Sequence, residues 1–378
     1  MVYRKFGKTG IYVSILGFGA MRLPVKEING NKVIDKDLSI EIITRSIKLG
    51  INYIDTAYGY CNGESEIVVG KAIKNYRDRV YISTKIPLWK VEKRGDYRKI
   101  LEEQLKKLNT DYIDFYHFHG INWQIFQEKV IKLKLLKEAL KAKVEGLIKH
   151  ISFSFHDKPE YMKKIVDIGE IFESVLCQYN LLDRRNEEMI KYVAEKGLGV
   201  AVMGPVGGGR LAEFPYLMDV FKEKYKTPVE IALKFVFSNK NISLALSGMN
   251  SIEMVEENTK IANSFYLLTD DEIKLIEKVI TYRKKKGEIP CTLCRYCLPC
   301  PKNIPIPFIF NLFNQYILLG SKKMVEEYMM IGEKSGDDRK KVNFCIDCGQ
   351  CETKCPQKIE IRRTLKKIDK IFSKSSKY

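Results

Sequence analysis

The stretch "INYIDTAYGY", Ile51 to Tyr60, is an apolar, β-branched run that stops at Asp55 and gives way to a glycine-containing loop carrying Tyr60. The run is apolar on both faces, as strands of a parallel sheet covered by helices on each side read. Upstream, "LSIEIITRSIKLG" repeats its apolar residues at helical spacing and closes on Gly50 as a C-cap. Downstream, "VYISTKI" is the next strand and "DYRKILEEQLKKLN" the next helix, closed by Asn109. The alternation extends outward through "SILGFGAM", "YIDFYHFH", "HISFSFH", "SVLCQYN", "LGVAVMGP" and "ISLALSG". Strand-helix units repeated eight times over about 250 residues predict an α/β fold of the (β/α)8 TIM barrel type, with its active site on the loops after the strand C-termini. An open doubly wound sheet is disfavoured, because "GFG" at Gly17 to Gly19 does not continue into G-x-G-x-x-G. The opening "YRKFGKTGIYVS" is expected to form a hairpin, turning at Lys8-Thr9-Gly10, that plugs the barrel bottom.

The 378 residues exceed one core of roughly 250–300 residues, so a barrel at 1–285 and a second domain at 286–378 are expected; the second holds "CTLCRYCLPCP" and "CIDCGQCETKCP" and reads as a small helical ferredoxin-like iron-sulfur domain. No apolar run approaches the ~18 residues that span a bilayer, and "MVYRKFGKTG" lacks a signal peptide's apolar core. A cytoplasmic protein with no membrane partner is expected. The formal charge of +18 raises nucleic acid as a partner, but the lysines are spread along the chain and no motif interleaves basic with aromatic residues. No nucleic-acid function is therefore expected.

Four polar residues stand at or just beyond strand ends: Asp55, Tyr60, Lys85 and His119. Singly each has an ordinary explanation, such as a helix cap, a packed tyrosine or a core histidine. Together, converging on one mouth of the barrel, they suit carbonyl reduction. Tyr60 would give the proton, Lys85 would lower its pKa, Asp55 would hold the ammonium, and His119 would orient and polarise the carbonyl. His117 points to the same side of its strand and is read as pocket lining or core, and Cys177 as a small buried hydrophobe.

With "DTAYGY", "STK" and "YIDFYHFH", and further "GFGAMRLP", "EGLIKHISFSFHD", "CQYN" and "EEN", residues 1 to 280 resemble the aldo-keto reductases. The resemblance implies NAD(P)H as cofactor and a small carbonyl or alcohol as substrate. It implies a catalytic tetrad of Asp55, Tyr60, Lys85 and His119, with Ser154 and Gln178 on the nicotinamide carboxamide. Gly204, Pro205, Val206, Gly207, Gly208, Gly209 and Arg210 would pass along the pyrophosphate, where glycines allow close backbone approach. Gly19, Ala20, Met21, Gly248, Met249, Ser251, Glu257 and Asn258 would complete the nucleotide site. Two positions depart from the family pattern. Met203 stands where an aromatic usually stacks on the nicotinamide, and Gly248 and Met254 stand where members preferring NADP carry Lys and Arg.

Of the ten cysteines, eight fall in "CTLCRYCLPCP" (Cys291, Cys294, Cys297, Cys300) and "CIDCGQCETKCP" (Cys345, Cys348, Cys351, Cys355). The second is the C-x2-C-x2-C-x3-C-P run of bacterial ferredoxins, in which the fourth cysteine serves the other cluster. Two 4Fe-4S clusters with crossed ligation are expected: Cys291, Cys294, Cys297 and Cys355 on one, Cys345, Cys348, Cys351 and Cys300 on the other. One cluster, or zinc in paired C-x2-C units, are the alternatives. The basic tail from Lys358 would offset the clusters' negative charge, and the aromatic-rich segment between the motifs reads as helices. Barrel followed by cysteines is similar to the iron-sulfur branch of the aldo-keto reductases, with electron exchange with a ferredoxin or flavoprotein as one role for the clusters. A nucleotide-binding redox sensor without catalysis is the competing reading, and the intact tetrad speaks against it.

Overall fold

The computed structural model describes the whole chain except residues 29, 30, 213, 214, 222, 223, 320, 321, 334 and 376–378. Eight parallel strands close into a barrel in chain order: β1 (Leu16–Gly19), β2 (Tyr53–Asp55), β3 (Tyr81–Ile86), β4 (Ile113–Ile121), β5 (Ile148–Phe155), β6 (Ser174–Gln178), β7 (Gly199–Met203) and β8 (Leu244–Ser247), which pairs back onto β1. Each falls on one of the eight expected runs. The helix Lys36–Lys48 starts on Asp35, whose side chain accepts from Leu38 N, and the chain leaves it through Gly50 at φ +100°. Asn109 closes the helix Asp96–Leu108 in a left-handed conformation.

Strand register sets what the barrel contains. Asp55 pairs with Ser83, Lys85 with His117, and His117 with Ser152, so alternate residues on adjacent strands share the inward face. The lower interior is apolar, built from Tyr53, Phe115, Leu176, Ala201, Leu244 and Leu246. Gly17 is required on that face, because a Cβ there would lie 2.7 Å from Leu244 Cδ1 and 2.8 Å from Leu246 Cδ2. The hairpin Tyr3–Lys5 with Tyr12–Ser14 adds Phe6 and Val13 to the same cluster, as expected of a plug. Phe6 is fully buried, and truncating it to alanine would cost about 3–5 kcal/mol. A second hairpin, Val25–Ile28 with Asn31–Ile34, follows β1 and was not anticipated, because its strands lack alternation, although the sequence Asn29-Gly30 between them is a hairpin signal.

By compactness the chain divides into Met1–Val206 with Lys222–Thr269, and Gly207–Phe221 with Asp270–Tyr378. This differs from the division at 285 drawn from the change in composition. The helix Asp270–Lys285 ends in buried Arg283, which pairs with Glu288 at the threshold of the first cysteine motif. That pairing ties the helix to the cysteine unit. The second unit is helical, with Ile306–Leu319, Lys323–Met329 and Ile361–Ser375 packing Phe310, Phe313, Tyr328, Leu365, Ile368 and Phe372 into its own core. Among the described residues no helix is long and apolar enough to cross a membrane.

Candidate active site and cysteine sites

Lys85 is 1% exposed, and its Nζ donates to Asp55 Oδ1 at 2.8 Å, Asp55 Oδ2 at 2.7 Å and the Thr56 carbonyl at 2.7 Å. Three acceptors satisfy three ammonium hydrogens. Ser83 Oγ donates to Asp55 Oδ1 at 2.8 Å, so the carboxylate too is anchored. Burial pushes the Asp55 carboxyl above the usual range, while the Lys85 charge and the hydrogen bonds pull it back.

Tyr60 opens a tight turn in which Cys61, Asn62 and Gly63 are all left-handed, at φ 53°, 57° and 89°. That turn brings its ring to 4.8 Å from Lys85 Nζ and 6.1 Å, edge on, from the His119 ring. The tetrad therefore assembles at one end of the barrel. The expected direction of the Tyr60 pKa is not found. Burial first, then the charges of Asp55 and Cys61, push the phenol well above its ordinary value. The reason is that desolvation dominates, and the charge that adds to it is that of Asp55 and not that of Lys85. His119 is pushed well below the ordinary imidazole range by burial and then by Lys85, and His117 down to about 3 by the same causes in the same order. Both imidazoles are neutral near pH 7, which leaves His119 able to donate one ring N–H without carrying charge.

One residue of the site was missed. Trp89, in the turn Leu88–Lys90 directly after β3, lies 5.2 Å from His119 and against Gly59, and is 57% exposed. A large apolar residue just beyond a barrel strand end was the available signal.

The residues expected around the nucleotide fall into several settings. Gln178 Nε2 and His119 Nδ1 are buried without a hydrogen-bond partner among the described residues, as donors or acceptors awaiting a polar ligand are. Gly204 is left-handed at φ +66°, and a Cβ there would lie 2.6 Å from Gln178 Nε2, so glycine alone fits beside that amide. Asn180, not anticipated, fixes Gly204 by donating to its carbonyl at 2.8 Å. Ser154 Oγ accepts from Gly120 N at 2.7 Å, and Asn258 donates to Ser247 Oγ at 3.2 Å. Ser251 caps the helix Ile252–Asn263, Glu257 accepts from Thr227, Met249 is buried, and Met203 packs half-buried at the end of β7. Ala20 is buried, with its carbonyl held by Ser65 Oγ at 2.8 Å. Arg22 lies with its stem against Gly248, and Met254 is exposed.

Arg210 departs from its expected role. Its guanidinium donates to the carbonyls of Ile289 at 3.0 Å and Cys291 at 3.1 Å and faces Glu288 at 3.6 Å. It braces the glycine turn Gly207–Gly209 against the start of the first cysteine motif, where buried carbonyls and a carboxylate need donors.

In the second unit, Cys291, Cys294, Cys297 and Cys355 line one cavity with Pro356. Cys300, Cys345, Cys348 and Cys351 line another, which Cys297 also borders. Left-handed residues at Leu293, Arg295, Asp347 and Gly349 reverse the chain between successive cysteines, turning their thiols to a common side. Burial raises the Cys291 thiol to about 11 against a backbone hydrogen bond from Leu293, and burial followed by Cys291 and Cys294 raises the Cys297 thiol to about 12. Coordination to a metal would remove those protons outright. No group of three or more His, Cys, Asp or Glu among the described residues is placed to hold a single metal ion. Beside the second cavity Arg362 donates to Glu352 and to the Asp347 carbonyl, bringing one cation of the basic tail to the cysteines.

A closed parallel barrel with a buried Lys–Asp pair, a tyrosine and a neutral histidine at one end, followed by paired cysteine runs, defines an oxidoreductase barrel with an iron-sulfur domain. Residues 15–281 match the aldo/keto reductase family and residues 290–360 a 4Fe-4S dicluster domain, and the chain belongs to the aldo/keto reductase family. It is 30% identical over 307 residues to the uncharacterized oxidoreductase YqkF of Bacillus subtilis (strain 168), covering 72% of this chain and 95% of that protein. The holo form of aldo-keto reductase AKR11C1 from Bacillus halodurans superposes with a TM-score of 0.63 at 28% identity, over 74% of this chain and 96% of that one. An aldo/keto reductase from Klebsiella pneumoniae in complex with NADP and acetate superposes with a TM-score of 0.62 at 25% identity, over 73% and 94%.

Proposed function

We propose that the chain reduces an aldehyde or ketone with NADH or NADPH, or oxidises the corresponding alcohol, in the cytoplasm. The observation that carries this reading is the convergence of Tyr60, Lys85 and His119 on one end of the barrel. The nicotinamide, when bound, supplies the hydride. Tyr60 gives its phenolic proton to the carbonyl oxygen, and burial keeps that proton in place until the oxygen's basicity rises in the transition state. Neutral His119 donates a hydrogen bond to the same oxygen. Asp55 fixes Lys85, whose ammonium sits beside the ring that becomes phenolate. Ser154 and Gln178 hold the carboxamide, and Gly204 leaves room for it. Trp89 supplies an apolar wall for the substrate. The nucleotide passes Gly19 to Met21, Gly204 to Val206 and the cap at Ser251, whereas Arg210 is a structural brace. The Klebsiella relative binds NADP. This chain lacks the family's phosphate cations at Gly248 and Met254, so neither nicotinamide cofactor is assigned alone.

The cysteines hold two 4Fe-4S clusters with crossed ligation, as the lining of the two cavities supports. The clusters exchange electrons with a partner protein. Anaerobic purification with iron and sulfide analysis, followed by a carbonyl panel with both cofactors, tests the reading. Tyr60→Phe should lower kcat by about 10²–10⁴-fold while leaving nucleotide binding intact. Retention of more than about a tenth of kcat removes Tyr60 as the proton donor.

A further inference from the structure

The two cysteine sites differ in their access to solvent. Cys355 of the first site is 8% exposed, whereas Cys348 of the second is the exposed cysteine of the eight. Close to Cys348 in the chain two large apolar side chains are exposed among polar ones: Ile346, which lines the cavity, is 57% exposed, and Phe344 is 50% exposed. Exposed lysines border these residues. Lys302 lines the same cavity, the Lys340 backbone bonds the Asn303 carbonyl next to it, and Lys340 Nζ lies 5.6 Å from the Phe344 ring. Of the acids on this rim, Asp337 and Asp347 are held in ion pairs by Arg339 and Lys366, and Asp338 is exposed. Residues 286–378 hold 18 Lys and Arg against 10 Asp and Glu, a surplus of 8 positive charges. That surplus exceeds what two clusters of net charge about −2 each would cancel.

We propose that the face of Phe344, Ile346 and Cys348, bordered by Lys302 and Lys340, docks a small acidic one-electron carrier protein. This rests on the assignment of the cysteines to clusters. The physical case joins three requirements. Electron exchange needs close approach, and this site is the exposed one. Docking needs an apolar centre that sheds water, which Ile346 and Phe344 provide. Fast, reversible encounter needs charge complementarity, and the positive surplus selects an acidic partner. In each encounter the carrier gives up one electron and the site of Cys300, Cys345, Cys348 and Cys351 takes up one, with no bond made or broken. The reverse direction balances in the same way. Cys297 borders both cavities, so the buried site is reached through this one.

The test uses anaerobic full-length holoprotein whose iron and sulfide have first been counted; absence of clusters there refutes the cluster assignment and is read separately. The probe is an acidic 2Fe-2S ferredoxin. Its dissociation constant is measured by calorimetry at low and high salt, and stopped-flow spectroscopy follows electron transfer after its reduction. Binding should weaken at least about tenfold between roughly 50 and 300 mM salt, as screening shortens the reach of the surface charges. Phe344→Glu and Lys340→Glu should each weaken it at least about tenfold. Their iron content, carbonyl reductase activity and reduction by cationic methyl viologen should stay unchanged. Binding that ignores salt and both variants, or no binding of the acidic probe to wild-type holoprotein, overturns the proposal.

Discussion

Replacing Lys85 by methionine tests the electrostatic design of the site most directly. The substitution keeps the length of the stem and removes the ammonium that now satisfies both Asp55 oxygens and the Thr56 carbonyl at 2.7–2.8 Å. Asp55 is 3% exposed and would keep Ser83 as the side-chain donor to its carboxylate. Breaking a buried pair from one side costs about 3–5 kcal/mol. At roughly 2–4 °C per kcal/mol for a domain of 150–250 residues, Tm should fall by about 6–20 °C. The loss should also depend on pH. The Asp55 carboxyl is already raised by burial and loses the main influence pulling it down, so the folded variant takes up a proton that the unfolded chain releases at lower pH. A folded pKa above the unfolded one means stability falls as pH rises between the two, so the variant should regain stability toward acid. The assay is thermal and urea unfolding of anaerobic wild type, Lys85→Met and the double variant Asp55→Leu/Lys85→Met across the acidic to neutral range. The double variant should recover most of the lost stability, because an apolar pair of similar volume replaces the ions, and should remain inactive. A cost below about 1 kcal/mol for the single variant, or a double variant no more stable than the single, would refute the reasoning.

Further outcomes follow from other parts of the structure. Because burial raises the Tyr60 phenol, the alkaline limb of kcat/KM for carbonyl reduction should lie above the ordinary tyrosine value of about 10, and a limb near neutrality would assign it to another group. With Gly248 and Met254 in place of phosphate cations, dissociation constants for NADPH and NADH should lie within about a hundredfold, since each charge-assisted contact is worth roughly 1.5–3 kcal/mol; a larger preference for NADPH would reveal a phosphate site elsewhere, with Arg22 beside Gly248 the first to substitute. Cys355→Ser should remove the low-temperature EPR signal of the Cys291 site and leave that of the Cys345 site, and Cys300→Ser the converse, whereas loss confined to each residue's own motif would mean local ligation.

Much of this protein is written locally. Eight β-branched runs, helix periodicity and the stops at Gly50 and Asn109 depend on neighbours a few residues away, and each became the element that its pattern names. Parallel strands all present their C-terminal ends to one side, so Asp55, Lys85 and His119 converge once the barrel closes. Other features depend on residues far apart in sequence, and no local pattern encodes them. The direction of the Tyr60 shift came from burial first and then from the charges of Asp55 and Cys61, which outweigh what Lys85 was expected to lend. Arg210 could be read as a phosphate ligand until Ile289, Cys291 and Glu288, about 80 residues on, supplied its partners. The Val25–Ile28 hairpin lacked alternation and was marked in the sequence by Asn29-Gly30 alone, and Trp89 joined the site only because the fold brings His119 to 5.2 Å from it. Sequence determined the elements because periodicity and capping act over a turn or two; the tertiary structure decided charge states and partners, because desolvation and ion pairing are set by whichever groups the closed barrel and the helical unit bring together.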